Sequence, residues 1–233
     1  MTAVVFIDVQ NDFVKDGALP YAYPVEPNHQ KIVDFAQACR MRGYELYATC
    51  DTHEKTVYDG IGGAPKSGYL TTLEGKRLPV EHCIEKTEGH RLIEGLVKND
   101  ALATGSNANC ILDTDTKNIN IRQANIFDKC TFGSNRLIVK MINDFPESGC
   151  DSNGLGIKGL REPLDRILIC GYCTSICVVS NALMLRAAFP NTPIICMPDL
   201  CGDINEQSHF AALMVMQNCQ IDIIPSIELP LAS

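Results

Sequence analysis

The stretch at residues 166–189, RILICGYCTSICVVSNALMLRAAF, indicates which fold the chain is expected to adopt. Its first apolar run, residues 167–169, predicts a short buried strand. Gly171 interrupts that run, and Thr174 or Ser175 is a suitable N-cap for a following helix. The residues after this cap are almost all apolar over a length too great for another strand, which predicts a buried helix. The stretch therefore predicts a strand–turn–helix unit.

Cys177 is predicted to lie in the first turn of this helix, just after the C-terminal end of the strand. In an open parallel sheet, ligands bind at that edge. The helix dipole and the free N–H groups of a first turn favour a thiolate and lower the pKa of a cysteine placed there. Cys177 is therefore a candidate nucleophile. The alternative is an ordinary buried cysteine that packs as a small apolar residue.

Composition excludes several classes of protein. The formal net charge of −8 and the pI of about 5.1 argue against a nucleic-acid partner or an anionic membrane surface. The sequence starts directly in a strand-like run without a basic targeting region. No apolar stretch reaches the roughly 20 residues that a membrane span needs. These features predict a soluble cytoplasmic protein with neither nucleic acid nor membrane as a partner.

The 12 cysteines do not form a disulfide pattern. They are scattered, and many lie in apolar runs where a free thiol packs as a small apolar side chain. Cys173 and Cys177 have CxxxC spacing, whereas redox proteins and zinc ribbons use CxxC. A redox pair is thus the less favoured alternative, and the cysteines predict a reducing compartment.

Strand-like and helix-like segments alternate along the chain. The predicted strands are at 3–9, 44–50, 124–127, 167–169, 193–197 and 221–224, and the predicted helices are at about 28–42, 91–98, 134–145, 176–189 and 206–218. This alternation predicts a three-layer α/β/α fold with a doubly wound, six-stranded, mainly parallel sheet. The whole chain, residues 1–233, is predicted to be one domain, with a long loop at about 54–80 and a surface excursion at about 146–163.

Five polar side chains lie at or just after the ends of four predicted strands: Asp8, Asp51, His53, Lys129 and Cys177. Because parallel strands end at one edge of a sheet, we expect these side chains to lie together. Lys129 would favour the thiolate, and Asp8 could pass a proton to a leaving amine. The alternative is a structural ion pair between Asp8 and Lys129 beside an inert cysteine.

A second group consists of Asp51, His53 and the later His82. The D-x-H spacing after a strand, together with a later histidine, supplies three N/O ligands and leaves room for water. Such an open site suits Zn²⁺, or Fe²⁺ or Mn²⁺. The alternative is one loop aspartate with two solvated histidines.

Several stretches resemble the isochorismatase-like cysteine hydrolase family, and within it the nicotinamidases (pyrazinamidases). They are VVFIDVQNDF at 4–13, CDTHE at 50–54, LPVEHCIEKTEG at 78–89, FDKCTFGS at 127–134 and GYCTSICVVSNA at 171–182. The resemblance runs over nearly the whole chain. It implies that Asp8, Lys129 and Cys177 form a catalytic triad.

The resemblance also implies the surroundings of the nucleophile. The backbone N–H groups of Cys173 and Cys177 would form an oxyanion hole, next to a cis peptide bond between Tyr172 and Cys173. Phe13, Leu78 and Tyr172 would line the substrate pocket. The chain has no tryptophan, and Leu78 stands near the place of a ring-stacking tryptophan.

One divalent metal is implied, with Zn²⁺ preferred over Fe²⁺ or Mn²⁺, held by Asp51, His53 and His82. Tyr58 or Tyr69 could supply the missing aromatic wall of the pocket beside it.

The activity that the resemblance implies is hydrolysis of nicotinamide to nicotinate and ammonia through a Cys177 thioester, as a step of NAD salvage. A homo-oligomer is also implied. One alternative is the hydrolysis of another small amide or carbamoyl compound by the same triad. Isochorismate ether cleavage is less favoured. A non-catalytic homologue that binds a ligand or partner is the alternative from a different class.

Overall fold

The computed structural model describes residues 1–14, 16–24, 26–96, 121–146 and 163–229. The strands are β1 (Thr2–Ile7), β2 (Glu45–Asp51), β3 (Val57–Tyr58), β4 (Pro65–Ser67), β5 (Ile126–Lys129), β6 (Arg166–Tyr172), β7 (Ile194–Gly202) and β8 (Asp222–Ile223). The helices are α1 (His29–Met41), α2 (Leu73–Arg77), α3 (Asn135–Asp144), α4 (Val179–Ala188) and α5 (Glu206–Asn218). Among the described residues, no helix is both long and apolar enough to cross a lipid bilayer.

Six strands pair in the order β5-β2-β1-β6-β7-β8, and every pair in this sheet is parallel. Numbered among themselves along the chain, these strands run in the order 3-2-1-4-5-6. The order reverses between β1 and β6, and such a reversal opens a crevice beyond the C-terminal ends of those two strands. The predicted doubly wound α/β sheet is confirmed.

Apolar patterning explains these elements. All six residues of β1 are buried, as expected for a central parallel strand that is covered on both faces. Helix α1 packs against β2 and β7, while α4 packs against α3 and α5. Ser134 caps α3 by accepting a hydrogen bond from the Leu137 N–H at 3.3 Å, as its residue type predicts.

Two predicted segments differ from the structure. The predicted loop at 54–80 contains the antiparallel β3–β4 hairpin and the short helix α2. The helix predicted at 91–98 is wrong over residues 91–96, which form a bridge to Gln10 and a turn. The excursion predicted at 146–163 lies, apart from its two end residues, outside the described residues. The single-domain boundary stays a prediction.

Candidate active site

The three predicted catalytic side chains meet at the crevice where the strand order reverses. Asp8 directly follows β1, Lys129 is the last residue of β5, and Cys177 lies in a π-helical turn that joins β6 to α4. Lys129 Nζ is 2.6 Å from Asp8 Oδ2 and 3.5 Å from Cys177 Sγ. All three residues are buried. The sequence prediction that they converge is confirmed.

Asp8 is held in an uncommon backbone conformation. Its φ of 49° lies in the left-handed region, which residues other than glycine rarely adopt. Thr49 on β2 compensates, because its carbonyl accepts the Asp8 N–H at 3.1 Å and its hydroxyl donates to Asp8 Oδ1 at 2.6 Å. One Asp8 oxygen therefore contacts Thr49, and the other faces Lys129.

Burial dominates the electrostatics of this group. Burial raises the pKa of Asp8 above its ordinary value, although Lys129 opposes the change. Burial also raises the pKa of the Cys177 thiol well above its ordinary range, against the lowering effect of Lys129. The helix-dipole argument, which predicted a lowered Cys177 pKa, is therefore wrong for this arrangement. Burial alone would lower the pKa of Lys129, but the neighbouring carboxyl groups of Asp8 and Asp51 outweigh it and raise the pKa of the ammonium, so Lys129 keeps its charge.

The predicted N-cap, Thr174 or Ser175, does not cap the turn that carries Cys177. Cys173 occupies the N-cap position without a side-chain hydrogen bond. The Ser175 N–H instead donates to Asp203 Oδ2 at 2.7 Å, and Thr174 Oγ1 bonds His209 Nδ1 at 2.9 Å. Asp203 and His209 thus anchor the nucleophile turn from the end of β7 and from α5, and neither was predicted.

The peptide bond before Cys173 is cis, in agreement with the resemblance. The predicted oxyanion role of the Cys173 and Cys177 N–H groups stays a prediction.

A second group of side chains lies beside the triad. Asp51, His53 and His82, the three predicted metal ligands, are joined by Glu74 from α2, and their ligand atoms all lie within 4.8 Å of one another. Asp51 Oδ2 is 3.0 Å from His53 Nε2 and 3.3 Å from His82 Nε2. Asp51 Oδ1 is 3.4 Å from Lys129 Nζ. Lys129 therefore contacts both groups.

This donor set fits a divalent metal. Two imidazoles and two carboxylates are suitable ligands for Zn²⁺, Fe²⁺ or Mn²⁺. His82 Nδ1 donates to the Val80 carbonyl at 2.8 Å, which leaves Nε2 facing Asp51. Burial alone would raise the pKa of Asp51, but Lys129 and the two histidines outweigh it and lower that pKa. Asp51 is consequently ionised, as a metal ligand must be.

Glu74 and Gln10 are site residues that the sequence reasoning missed. Glu74 lies on a five-residue helix inside the predicted loop, where no periodic pattern marks it. Gln10 accepts the Asp51 N–H at 2.7 Å and donates to the Asp51 carbonyl at 2.9 Å, so it fixes the backbone of that ligand. Gln10 lies inside the quoted 4–13 motif, but nothing in the motif indicates a contact with a second strand.

Aromatic rings surround the two histidines. The Tyr69 ring centroid is 4.6 Å from that of His53 and 5.1 Å from that of His82, and the tyrosine hydroxyl donates to the Leu78 carbonyl at 2.9 Å. Phe13 contacts His82 with a centroid separation of 5.6 Å. Of the two tyrosines considered for the aromatic wall, Tyr69 is therefore the one beside the metal ligands.

Tyr58 does not form the aromatic wall, and the Tyr172 side chain does not lie beside the metal ligands. Tyr58 is exposed on the β3–β4 hairpin and has 49% of its surface accessible. Tyr172 is fully buried, stacks on Tyr21 at a centroid distance of 4.7 Å, and donates to Asn28 Oδ1 at 2.8 Å. The predicted pocket-lining role of the Tyr172 side chain is therefore not supported, because its contacts lie in the core.

The fold and the site together define a hydrolase of the doubly wound α/β class, with a buried thiol, lysine and carboxylate at the switch point. The chain belongs to the isochorismatase-like hydrolase family, since the model of the Isochorismatase domain matches residues 2–126 and 157–228. No curated protein sequence matches the chain.

Solved structures with this fold include several amidases. The pyrazinamidase/nicotinamidase of Streptococcus mutans is 21% identical and gives a TM-score of 0.62, with 96% of this chain and 100% of that chain covered. The nicotinamidase of Bacillus subtilis is 20% identical, with a TM-score of 0.61 and coverage of 95% and 98%. The pyrazinamidase of Pyrococcus horikoshii, solved in complex with zinc, is 18% identical, with a TM-score of 0.56 and coverage of 96% and 98%. At these identities the likeness shows the fold.

Proposed function

We propose that the protein is a metal-containing cysteine amidohydrolase that converts nicotinamide to nicotinate and ammonia. The observation that carries the proposal is the position of Lys129 Nζ. It is 2.6 Å from Asp8, 3.5 Å from the Cys177 sulfur and 3.4 Å from Asp51. A buried ammonium in this position stabilises a thiolate and a neighbouring carboxylate at once.

The proposed reaction passes through a thioester. Asp8 takes the thiol proton of Cys177 as the sulfur attacks the carboxamide carbon, and the same proton then goes to the departing ammonia. Asp8 next removes a proton from water, which attacks the thioester and returns the thiol. The raised pKa of Asp8 suits a carboxyl that alternates between base and acid. The N–H groups of Cys173 and Cys177 would hold the oxyanion.

The proposed metal ligands are Asp51, His53, His82 and the additional Glu74. A divalent ion held by them would supply a Lewis acid next to the triad. We propose Zn²⁺, because the donor set suits it and because the P. horikoshii pyrazinamidase was solved with zinc.

The aromatic surroundings support a small aromatic amide as the substrate. Phe13 packs beside His82, and the Leu78 carbonyl accepts a hydrogen bond from Tyr69, whose ring contacts both histidines. The second candidate is hydrolysis of another small amide by the same triad. It is favoured by the lack of any tryptophan and by the burial of Tyr69, whose ring packs on the histidines with only 1% of its surface exposed.

The test is ammonia release from nicotinamide by zinc-loaded protein. We expect turnover by the wild type and a loss of at least about 10³-fold in Cys177→Ala, because removal of a covalent nucleophile abolishes the catalysed route. The matched control is Cys130→Ala, which removes an exposed cysteine one residue after Lys129. No turnover by zinc-loaded wild type would exclude nicotinamide, and full activity in Cys177→Ala would exclude the triad.

A further inference from the structure

We propose that Asn181 is a positioning residue that ties the loop after Lys129 to the nucleophile turn and thereby sets the Lys129–Cys177 separation. The inference rests on the proposed function and adds to it a residue outside both the triad and the set of proposed metal ligands. It concerns how two catalytic groups on different elements are kept in register.

The Asn181 side chain makes three hydrogen bonds. Its Nδ2 donates to the Cys177 carbonyl at 2.8 Å and to the Phe132 carbonyl at 2.9 Å. Its Oδ1 accepts the Ser134 N–H at 2.9 Å. One amide therefore contacts the nucleophile residue itself and two residues of the segment that follows β5.

This amide is placed where it has no contact with solvent. Asn181 lies on α4, one helical turn after Cys177, and is fully buried. A buried amide is retained when its donors and acceptor are satisfied, since an unsatisfied one is costly. Gly133 packs closely on the same helix, because a Cβ there would lie 2.3 Å from Met184 Sδ. The loop is therefore held tightly against α4 around Asn181.

Lys129 is anchored on its other side as well. Its carbonyl accepts the Thr52 N–H at 2.8 Å, which ties the end of β5 to β2. That bond sets Lys129 relative to Asp51, and the Asn181 bonds set the following loop relative to Cys177. The 3.5 Å contact between Lys129 Nζ and Cys177 Sγ thus depends on how the loop after β5 lies against the nucleophile turn, and Asn181 joins these two segments.

The test compares Asn181→Leu with Ser134→Ala. The leucine has the same number and branching of side-chain heavy atoms as asparagine and removes all three hydrogen bonds. Ser134→Ala removes the hydroxyl that caps α3 but keeps the backbone N–H that Asn181 accepts, so it destabilises the same region with the tie intact. Thermal unfolding identifies any loss of stability that the two variants share.

Two readouts report positioning. The first is iodoacetamide labelling of Cys177, measured by peptide mapping against the exposed Cys130 in the same sample. The second is kcat and KM for nicotinamide hydrolysis. For Asn181→Leu we expect the Cys177/Cys130 labelling ratio and kcat to fall about tenfold or more, with KM within about threefold of wild type. Ser134→Ala should keep both readouts within about twofold of wild type.

A wild-type labelling ratio and kcat in folded Asn181→Leu would overturn the inference. It would also be overturned if Ser134→Ala lost as much as Asn181→Leu, because the effect would then follow stability alone. The labelling ratio needs no substrate. If wild type failed to hydrolyse nicotinamide, the proposed substrate would fall, while the labelling ratio would still decide the role of Asn181.

Discussion

The triad and the metal-ligand group lie side by side, yet the chain positions them differently. Asp8, Lys129 and Cys177 lie at or just after the ends of three strands of one sheet. In the metal-ligand group, only Asp51 belongs to a strand of that sheet. The other three members of the metal-ligand group, His53, Glu74 and His82, lie in the connection that follows β2. Glu74 is on a five-residue helix in that connection. One group is therefore built on the sheet and the other on a connection.

The two groups need different supporting contacts. Strand ends are fixed by sheet pairing, so the triad needs few further supports. These are the Asp8–Thr49 contacts, the Asp203 contact to the nucleophile turn and the Asn181 hydrogen bonds. The connection must be held by specific hydrogen bonds, such as that from the Tyr69 hydroxyl to Leu78 and that from the Thr56 N–H to Glu81. We therefore expect the metal-ligand group to be separable from the triad, with Lys129 as the contact between them.

Among the changes to the metal-ligand group, we expect His82→Ala to have the strongest effect. Loss of outer-shell partners already costs about 10–100-fold in metal affinity, so loss of this ligand should weaken zinc binding by more than about 100-fold. Competition with a chromogenic chelator measures this. Labelling of Cys177 relative to Cys130 in zinc-free protein should stay near the wild-type ratio. A collapse of that ratio would show that the two groups are not separable.

We expect Glu74→Gln to weaken zinc binding less than His82→Ala does. Glu74 joins the group from a five-residue helix, and its side chain keeps 19% of its surface exposed. We expect zinc affinity to fall about tenfold, because one of four ligands loses its charge while its shape is kept. Glu54→Gln, at an exposed acidic residue of the same segment, is the control and should bind zinc as wild type does. Equal affinity in Glu74→Gln and wild type would remove Glu74 from the ligand set.

The smallest expected effect concerns pH and the support of the nucleophile turn. Burial lowers the pKa of His209 in the folded protein, whereas the unfolded chain titrates near about pH 6.5. Below about pH 6.5 the unfolded state binds more protons at His209 than the folded state does. The stability that neutral His209 contributes is therefore full above about pH 6.5 and is lost as the pH falls through the lowered pKa of the folded protein. Thermal midpoints of wild type should therefore drop more steeply between about pH 7 and pH 5 than those of His209→Gln. Parallel pH profiles would contradict this.

Sequence patterns predicted much of the candidate site because its polar residues stand where apolar runs end. Both the residue type and the position therefore indicate a site there. Asp8 and Lys129 are charged residues at the ends of apolar runs, and Ser134 is a capping residue before a helical stripe. The same reasoning failed for Thr174 and Ser175, whose capping partners come from distant elements. The resemblance also implied that Tyr172 lines the substrate pocket, whereas its side chain contacts Tyr21 and Asn28 in the core, because a motif does not say which neighbours a side chain meets.

Local sequence patterns predicted the α/β class, the strands whose ends carry Asp8, Lys129 and Cys177, and the candidate metal ligands Asp51, His53 and His82. These follow from periodicity, residue type and motif, which are local properties. The strand order, the direction of the Cys177 pKa shift, and the places of Glu74, Gln10 and Asn181 beside these residues are visible only in the tertiary structure. Each of these depends on burial or on contacts between residues far apart in the chain, and no local pattern encodes such distances.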